Sequence, residues 1–259
     1  MTTIRNPARE RLERGEPCLG LGVRSMRTVE IAKLAKSCGF HWLFIDLEHN
    51  AMSLDTAVQI AVAALDTGIA PIVRVPAKQY WMATRALDNG ALGIVVPHVD
   101  TADEARDVVA HLRFPPLGHR SIGGPLPQAD FKAMKPAELT EAANAATLIT
   151  VMLESPQAIA NAEAIAAVPG IDVLLIGTSD LTAEMGIAGE LTHPRVVAAY
   201  ESVIGACRKH GKWPGMGGVY VEELMRRYVG LGMRMILAGS DLALLMQAGT
   251  QRAAFMRGA

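Results

Sequence analysis

Trp42-Leu-Phe-Ile-Asp-Leu-Glu-His-Asn50 decides how this chain is read. Its first four residues, Trp42 to Ile45, are apolar without interruption. A strand of a parallel sheet has that pattern when both its faces are covered. Asp46, Glu48 and His49 follow, three ionisable side chains within four positions. A strand interior cannot hold that much charge without partners. The change therefore marks where a buried strand leaves the core, and it raises the question whether that exit is also the rim of a site.

The same phrase recurs on both sides. Residues 1–16 are polar and charged, a lead-in helix or a frayed arm. Strands are predicted at Cys18–Val23, Trp42–Leu47, Ile69–Val75 and Leu92–Val96, then at Leu148–Leu153, Asp172–Ile176, Trp213–Met216 and Met233–Leu237. Between them lie helical stretches with recognisable starts and stops. One is capped by Thr28 and stops at Gly39; one is capped by Ser53 and ends at Gly68; one runs from about Gln79 to Asn89. Thr101-Ala-Asp-Glu104 is a capping box, and Ser155-Pro156 opens a helix expected to reach Gly170. Further helices begin at Pro136 and Pro194, another follows Gly217-Gly218, and Gly239-Ser240 caps the last one. Phe114–Lys135 has no period, and a loop of that length is usually functional or disordered.

Strand and helix thus alternate about eight times, the count of a (β/α)8 TIM barrel. A doubly wound sheet would stop at about five to seven strands and carry a glycine-rich phosphate loop in its first turn, which is missing here. Composition does not shift along the 259 residues, so one domain is expected over 1–259. A net charge of −1 gives no footprint for nucleic acid or an anionic membrane. Cys18, Cys38 and Cys207 are widely spaced and unpaired in pattern, which suits reduced thiols in a cytoplasmic protein. The chain starts without the apolar core of a signal peptide and has no membrane-spanning run.

Ionisable residues gather where predicted strands end: Asp46, Glu48 and His49; Arg74; His98; Glu154; and Asp180 just after the sixth strand. In a barrel these ends converge on the face that carries the active site. Glu154 and Asp180 could each merely cap a helix. As a pair on adjacent strands, beside Arg74 and His49, they suit a hard divalent ion, Mg2+ or Mn2+. His49 is the candidate base, with Asp46 three positions earlier to orient it, although an exposed loop histidine is the plainer reading. Arg74 needs an anion, which a substrate carboxylate or enolate, or an ion pair with Glu48 or Glu154, would supply. His98 reads as a hydrogen-bonded structural residue. None of the seven lysines falls within a predicted strand or at its carboxyl end except Lys78, which lies beyond Pro76 in a loop, so carbonyl chemistry here is expected to need a metal, not a Schiff base, as its electron sink.

Phe-Ile-Asp-Leu-Glu-His, Pro-Ile-Val-Arg-Val-Pro, Leu-Asp-Asn-Gly-Ala-Leu-Gly-Ile-Val-Val-Pro-His-Val, Met-Leu-Glu-Ser and Ile-Gly-Thr-Ser-Asp-Leu-Thr-Ala-Glu-Met-Gly resemble the HpcH/HpaI family of class II, metal-dependent pyruvate aldolases. The resemblance runs from about Gly20 to the last helix. It implies a barrel in a homo-hexamer with exchanged C-terminal helices. It also implies reversible cleavage of a 4-hydroxy-2-oxo acid to pyruvate and an aldehyde. By position, Glu154 and Asp180 look like the metal ligands, for Mg2+ or Mn2+ with Co2+ or Zn2+ as alternatives. His49 looks like the base, working through a metal-bound water with Asp46 beside it, and Arg74 like the group that stabilises the enolate. Asp88 matches an acid contributed by a neighbouring subunit. Ser179 and Asp180 match the backbone N–H groups that hold the pyruvate carboxylate. Met152 stands where the family often has a substrate-contacting glutamine, and His119 to Gln128 departs from the family's Arg-Gly-x-Gly loop; both lie where substrate should be held. The runner-up is oxaloacetate decarboxylation or another carbon–carbon lyase reaction through the same enolate. Cleavage of a CoA thioester ranks below it for want of a basic patch, and a non-catalytic barrel ranks below that because the carboxylates and the histidine are present.

Overall fold

Inward-facing side chains alternate with outward-facing ones along every strand of a closed barrel, and that period sets both core and site. The computed structural model describes residues 4–258; residues 1–3 and 259, the ends of the expected lead-in segment and last helix, lie outside the described residues. The elements are α1 (Pro7–Glu13), β1 (Cys18–Val23), α2 (Glu30–Ser37), β2 (Trp42–Asp46), α3 (Leu54–Thr67), β3 (Ala70–Arg74), α4 (Tyr80–Asp88), β4 (Gly93–Val96), α5 (Ala102–Leu112), α6 (Pro136–Ala146), β5 (Leu148–Leu153), α7 (Pro156–Ala160), α8 (Ala162–Ala166), β6 (Val173–Gly177), α9 (Thr178–Glu184), α10 (Pro194–His210), β7 (Trp213–Gly217), α11 (Glu222–Leu231), β8 (Met235–Ser240) and α12 (Asp241–Gly258). All eight strands are parallel and close in sequence order, with β8 pairing β1. This is the expected (β/α)8 TIM barrel.

Leu43, Ile45, Val73, Ile94, Val151 and Leu174 face outward and pack against the helices. Trp42, Phe44, Ile72, Val95, Met152, Val173, Leu175 and Met235 belong to a second cluster, in the barrel interior. Gly20 makes room for the largest of them. A Cβ there would meet Trp42 Cε2 at 2.2 Å, while the indole N–H donates to the Cys18 carbonyl at 3.1 Å. Gly20→Ala is expected to cost roughly 1–3 kcal/mol through overpacking. A lower thermal midpoint checks it, and an unchanged midpoint would mean that Trp42 has room to move.

Four local expectations change. α2 starts at Glu30 with Val29 as its cap and no side-chain cap bond, so Thr28 does not cap it. The helix expected to reach Gly170 breaks at Asn161, whose amide turns to the Asp100 carbonyl at 2.8 Å. Thr178–Glu184, where no element is predicted, is the helix α9. β8 runs from Met235 to Ser240, two residues late in starting, because its ladder with β1 begins at Cys18 opposite Met235, and it extends to Gly22 opposite Ser240. The 114–135 segment contains one 3-10 turn at Pro127–Ala129. Gln128 ties it to the α4–β4 turn through the Leu87 and Ala91 carbonyls at 2.7 and 2.8 Å.

Candidate active site

The inward period of each strand ends in a top layer of polar or very small residues. Trp42 and Phe44 lead to Asp46, Ile72 to Arg74, Met152 to Glu154, and Leu175 to Gly177. Asp46, Arg74, Met152 and Gly177 line a cavity of about 470 Å³ together with Arg24, His49, Ser179, Asp180 and Tyr220, and Glu154 sits just behind Gly177.

Asp46 and Arg74 stand side by side because the β2–β3 ladder ends with them in register. Arg74 donates from Nε and Nη2 to the two carboxylate oxygens of Asp46 at 2.9 and 2.7 Å, and its Nη1 lies 3.0 Å from Glu48. The planar fork of arginine suits that bidentate pairing. Asp46 is 1% exposed. Burial alone would raise its pKa, but the hydrogen bonds and charge of Arg74, with the N–H groups of Glu48 and His49, hold the carboxyl below the usual range. Asp46 therefore places His49 by its backbone, through an N–H bond of 3.3 Å, and not by its ring as the spacing suggested. The imidazole is half-exposed, with Nε2 3.8 Å from Glu48. Glu48 thus supports both Arg74 and His49.

Glu154 is buried, and its Oε2 accepts the backbone N–H of His98 at 2.9 Å. His98 adopts a left-handed φ of 53° and its Nδ1 lies 3.3 Å from the same oxygen. Burial, aided by the charges of Asp180 and Glu48 and opposed by His98, pushes the Glu154 carboxyl up to about 7. A Cβ on Gly177 would stand 2.5 Å from Glu154 Oε1, so the carboxylate needs a glycine beneath it. A buried carboxylate that feels the charge of a second, exposed one at the cavity wall favours a proton or a cation. The donor set fits a hard dication that keeps water and substrate oxygens as further ligands. No cluster of three or more His, Cys, Asp and Glu side chains suited to a metal occurs among the described residues, so the protein would supply this pair alone. Thr178 anchors the start of α9 by bonding both Tyr200 and the Gly217 carbonyl at 2.7 Å, which holds Ser179 and Asp180 at the cavity wall.

The family model for HpcH/HpaI aldolase/citrate lyase matches residues 25–248. The chain belongs to the HpcH/HpaI aldolase/citrate lyase family. It is 40% identical over 249 residues to the 4-hydroxy-4-methyl-2-oxoglutarate aldolase of Hapsidospora irregularis, covering 95% of this chain and 92% of that one. It is 37% identical to the 4-hydroxy-2-oxo-heptane-1,7-dioate aldolase of Salmonella arizonae, covering 93% and 91%. The crystal structure of an HpcH/HpaI aldolase from Desulfitobacterium hafniense superposes with a TM-score of 0.92 at 27% identity, over 97% of this chain and 96% of that chain. The chain is accordingly an enzyme of the carbon–carbon lyase class.

Within this HpcH/HpaI barrel, His49, Arg74, Asp46, Met152, Ser179 and Asp180 line one cavity, with Glu154 beside Gly177 at its wall. Asp88 is elsewhere. It pairs with Arg120 at 2.6 Å in a separate depression of about 320 Å³ with Thr84, His111 and His119. No residue of the 114–135 segment lines the catalytic-face cavity of the same chain among the described residues. The sequence reading missed Arg24, Tyr220 and Asp241. Arg24 directly follows the apolar end of β1, the same signal that singled out Arg74. Tyr220, 51% exposed, stands in the same lining as Arg24. His98, set aside as structural, touches Glu154 and lies 3.9 Å from Glu48.

Proposed function

We propose that this chain cleaves a 4-hydroxy-2-oxo acid reversibly to pyruvate and an aldehyde as a class II aldolase. The observation that carries this reading is the buried Glu154 behind Gly177, close enough to feel the charge of Asp180, at a cavity lined by Asp180, Arg74 and His49 and by no lysine. A divalent ion held by Glu154 and Asp180, Mg2+ or Mn2+ before Co2+ or Zn2+, would act as a Lewis acid for the 2-oxo group and its carboxylate. The backbone N–H groups at Ser179 and Asp180 would orient that carboxylate. His49 takes the 4-hydroxyl proton at a ring nitrogen. The C3–C4 bond then breaks, its electron pair leaving on the pyruvate fragment as an enolate, and C4 departs as the aldehyde carbonyl; a proton delivered to C3 completes pyruvate, and His49 gives up the proton it took. Arg74, preset by Asp46 and Glu48, faces the negative charge as it develops. Met152 forms an apolar wall beside the bound oxo acid.

The assembly is proposed as a homo-hexamer in the cytoplasm, with Asp88 reaching the cavity of a neighbouring copy. Two features support exchange of α12: Leu244, Leu245, Met246, Phe255 and Met256 on it are all exposed, and Asp241 is its one buried residue. No helix is long and apolar enough to cross a membrane among the described residues.

The test is pyruvate release across a panel of 4-hydroxy-2-oxo acids and oxaloacetate, with and without chelator. Metal-dependent cleavage within the panel is expected. Strong oxaloacetate decarboxylation with no aldol cleavage would favour the decarboxylase instead. His49→Ala is expected to lower turnover by roughly 10²- to 10⁴-fold while leaving Mn2+ affinity nearly unchanged. Unchanged turnover in that variant would remove His49 from the role of base.

A further inference from the structure

Arg24 is a cation in the cavity wall whose donors are largely free. Arg74, the other lining arginine, already meets Asp46 through two hydrogen bonds and Glu48 at 3.0 Å. Arg24 makes only a 3.4 Å contact from Nη2 to the His49 carbonyl and lies 3.7 Å from Asp46, with its side chain 43% exposed. A guanidinium carries five N–H donors in a fixed plane, so most of these remain for a ligand.

The backbone beneath it is fixed in a way the reaction so far does not explain. The Asp241 carboxylate, 7% exposed, accepts the backbone N–H groups of Arg24 (3.0 Å), Ser25 (2.9 Å) and Met26 (2.7 Å). Asp241 is the first residue of α12, so one buried acid clamps the β1–α2 loop to the end of β8 and sets Arg24 beside His49. Leu242 and Ala243, the next residues of α12, line the cavity on that side.

We propose that Arg24 is a specificity-determining residue of this reaction, whose guanidinium binds a carboxylate on the fragment that leaves as the aldehyde and so sets the preference for a diacid over a monoacid. The inference rests on the aldol reading above. There the 2-oxo end lies at Ser179 and Asp180, and the 4-hydroxyl lies at His49. Whatever extends past C4 meets the groups next to His49, which are the Arg24 guanidinium and the apolar wall of Leu242 and Ala243. Methylenes fit against that wall, and a terminal carboxylate fits the planar fork. Asp241 is a positioning residue in this arrangement.

The experiment compares kcat/KM for pyruvate release from 4-hydroxy-2-oxoglutarate and from 4-hydroxy-2-oxopentanoate, which lacks the second carboxylate. The proteins are wild type, Arg24→Ala and Arg24→Lys, each with Mn2+. The diacid-to-monoacid ratio is expected to fall by roughly 10- to 100-fold in Arg24→Ala, mainly through KM. Arg24→Lys, which keeps the charge and loses the fork, should recover part of it. A ratio that stays constant, whether both substrates are lost equally or neither is affected, overturns this inference and leaves the aldol reading standing. A wild type that cleaves neither acid overturns the aldol reading and this inference with it.

Discussion

Glu154→Gln is expected to lower pyruvate release by on the order of 10³-fold or more, since a Lewis acid supplies several kcal/mol of charge stabilisation. The variant is nearly isosteric, and its amide oxygen still accepts the His98 N–H that Oε2 receives at 2.9 Å. What it removes is one negative charge from a buried site that already strains to hold it, as the rise of the Glu154 carboxyl to about 7 records. The folded protein without added metal should therefore be at least as stable as wild type, which separates lost chemistry from lost structure. A second readout is independent of turnover. Mn2+ at about 100 times its dissociation constant should stabilise the wild type by about 2.7 kcal/mol, and that rise in thermal midpoint should vanish in Glu154→Gln and in Asp180→Asn. A variant that keeps both the Mn2+ shift and its turnover would show that Glu154 is not a ligand, leaving the burial of this acid to its contacts with His98 alone.

The barrel was legible because most strands are apolar runs that give way to a polar residue at or just beyond their end, and eight strand-like runs separated by capped helices admit few architectures. The site was legible through the same punctuation: Asp46, Arg74 and Glu154 each stand at or just beyond the end of an apolar run. Partnership was not legible. Arg74 does meet Glu48, one of the anions its position offered, but only the strand register adds its main partner Asp46, 28 positions away. The clamp of Asp241 on the β1–α2 loop joins residues more than two hundred positions apart, and nothing local in Gly-Ser-Asp announces it. α9 was missed because Thr-Ser-Asp after a glycine has the composition of a turn, yet Thr178 bonds Tyr200 and the Gly217 carbonyl and lets a helix begin at once. Asp88 illustrates a different limit. A motif shows that an acid belongs to a site, but a single chain places it beside Arg120, away from His49.

Asp46→Ala is expected to be the most destabilising single change at the site and to reduce activity as well. Asp46 is 1% and Arg74 7% exposed, and the pair sits where the barrel interior gives way to the cavity. A buried ion pair is weak evidence for stability as such, since removing both charges is often neutral. Removing one partner differs, because it leaves the other charge buried, at a cost of roughly 3–5 kcal/mol. Glu48 at 3.0 Å remains to offset part of this for Arg74. The backbone N–H groups of Glu48 and His49 lose their acceptor at the same time, which frees the turn that carries the candidate base. With about 2–4 °C of midpoint per kcal/mol in a chain of this size, the thermal midpoint should fall by roughly 6–20 °C. Asp46→Asn, which keeps one acceptor oxygen, should fall less. The pH dependence gives a sharper check. The Asp46 carboxyl is held below its ordinary value in the folded state. Its contribution to stability is therefore present above the unfolded value of about 4 and is lost as pH falls through the lower folded value. Wild type should lose stability across that acid window, and Asp46→Asn should lose correspondingly less there. Equal acid sensitivity in the two proteins, measured by thermal midpoint against pH, would mean that Asp46 gains nothing from Arg74 and that the pair is not what holds the rim of the barrel.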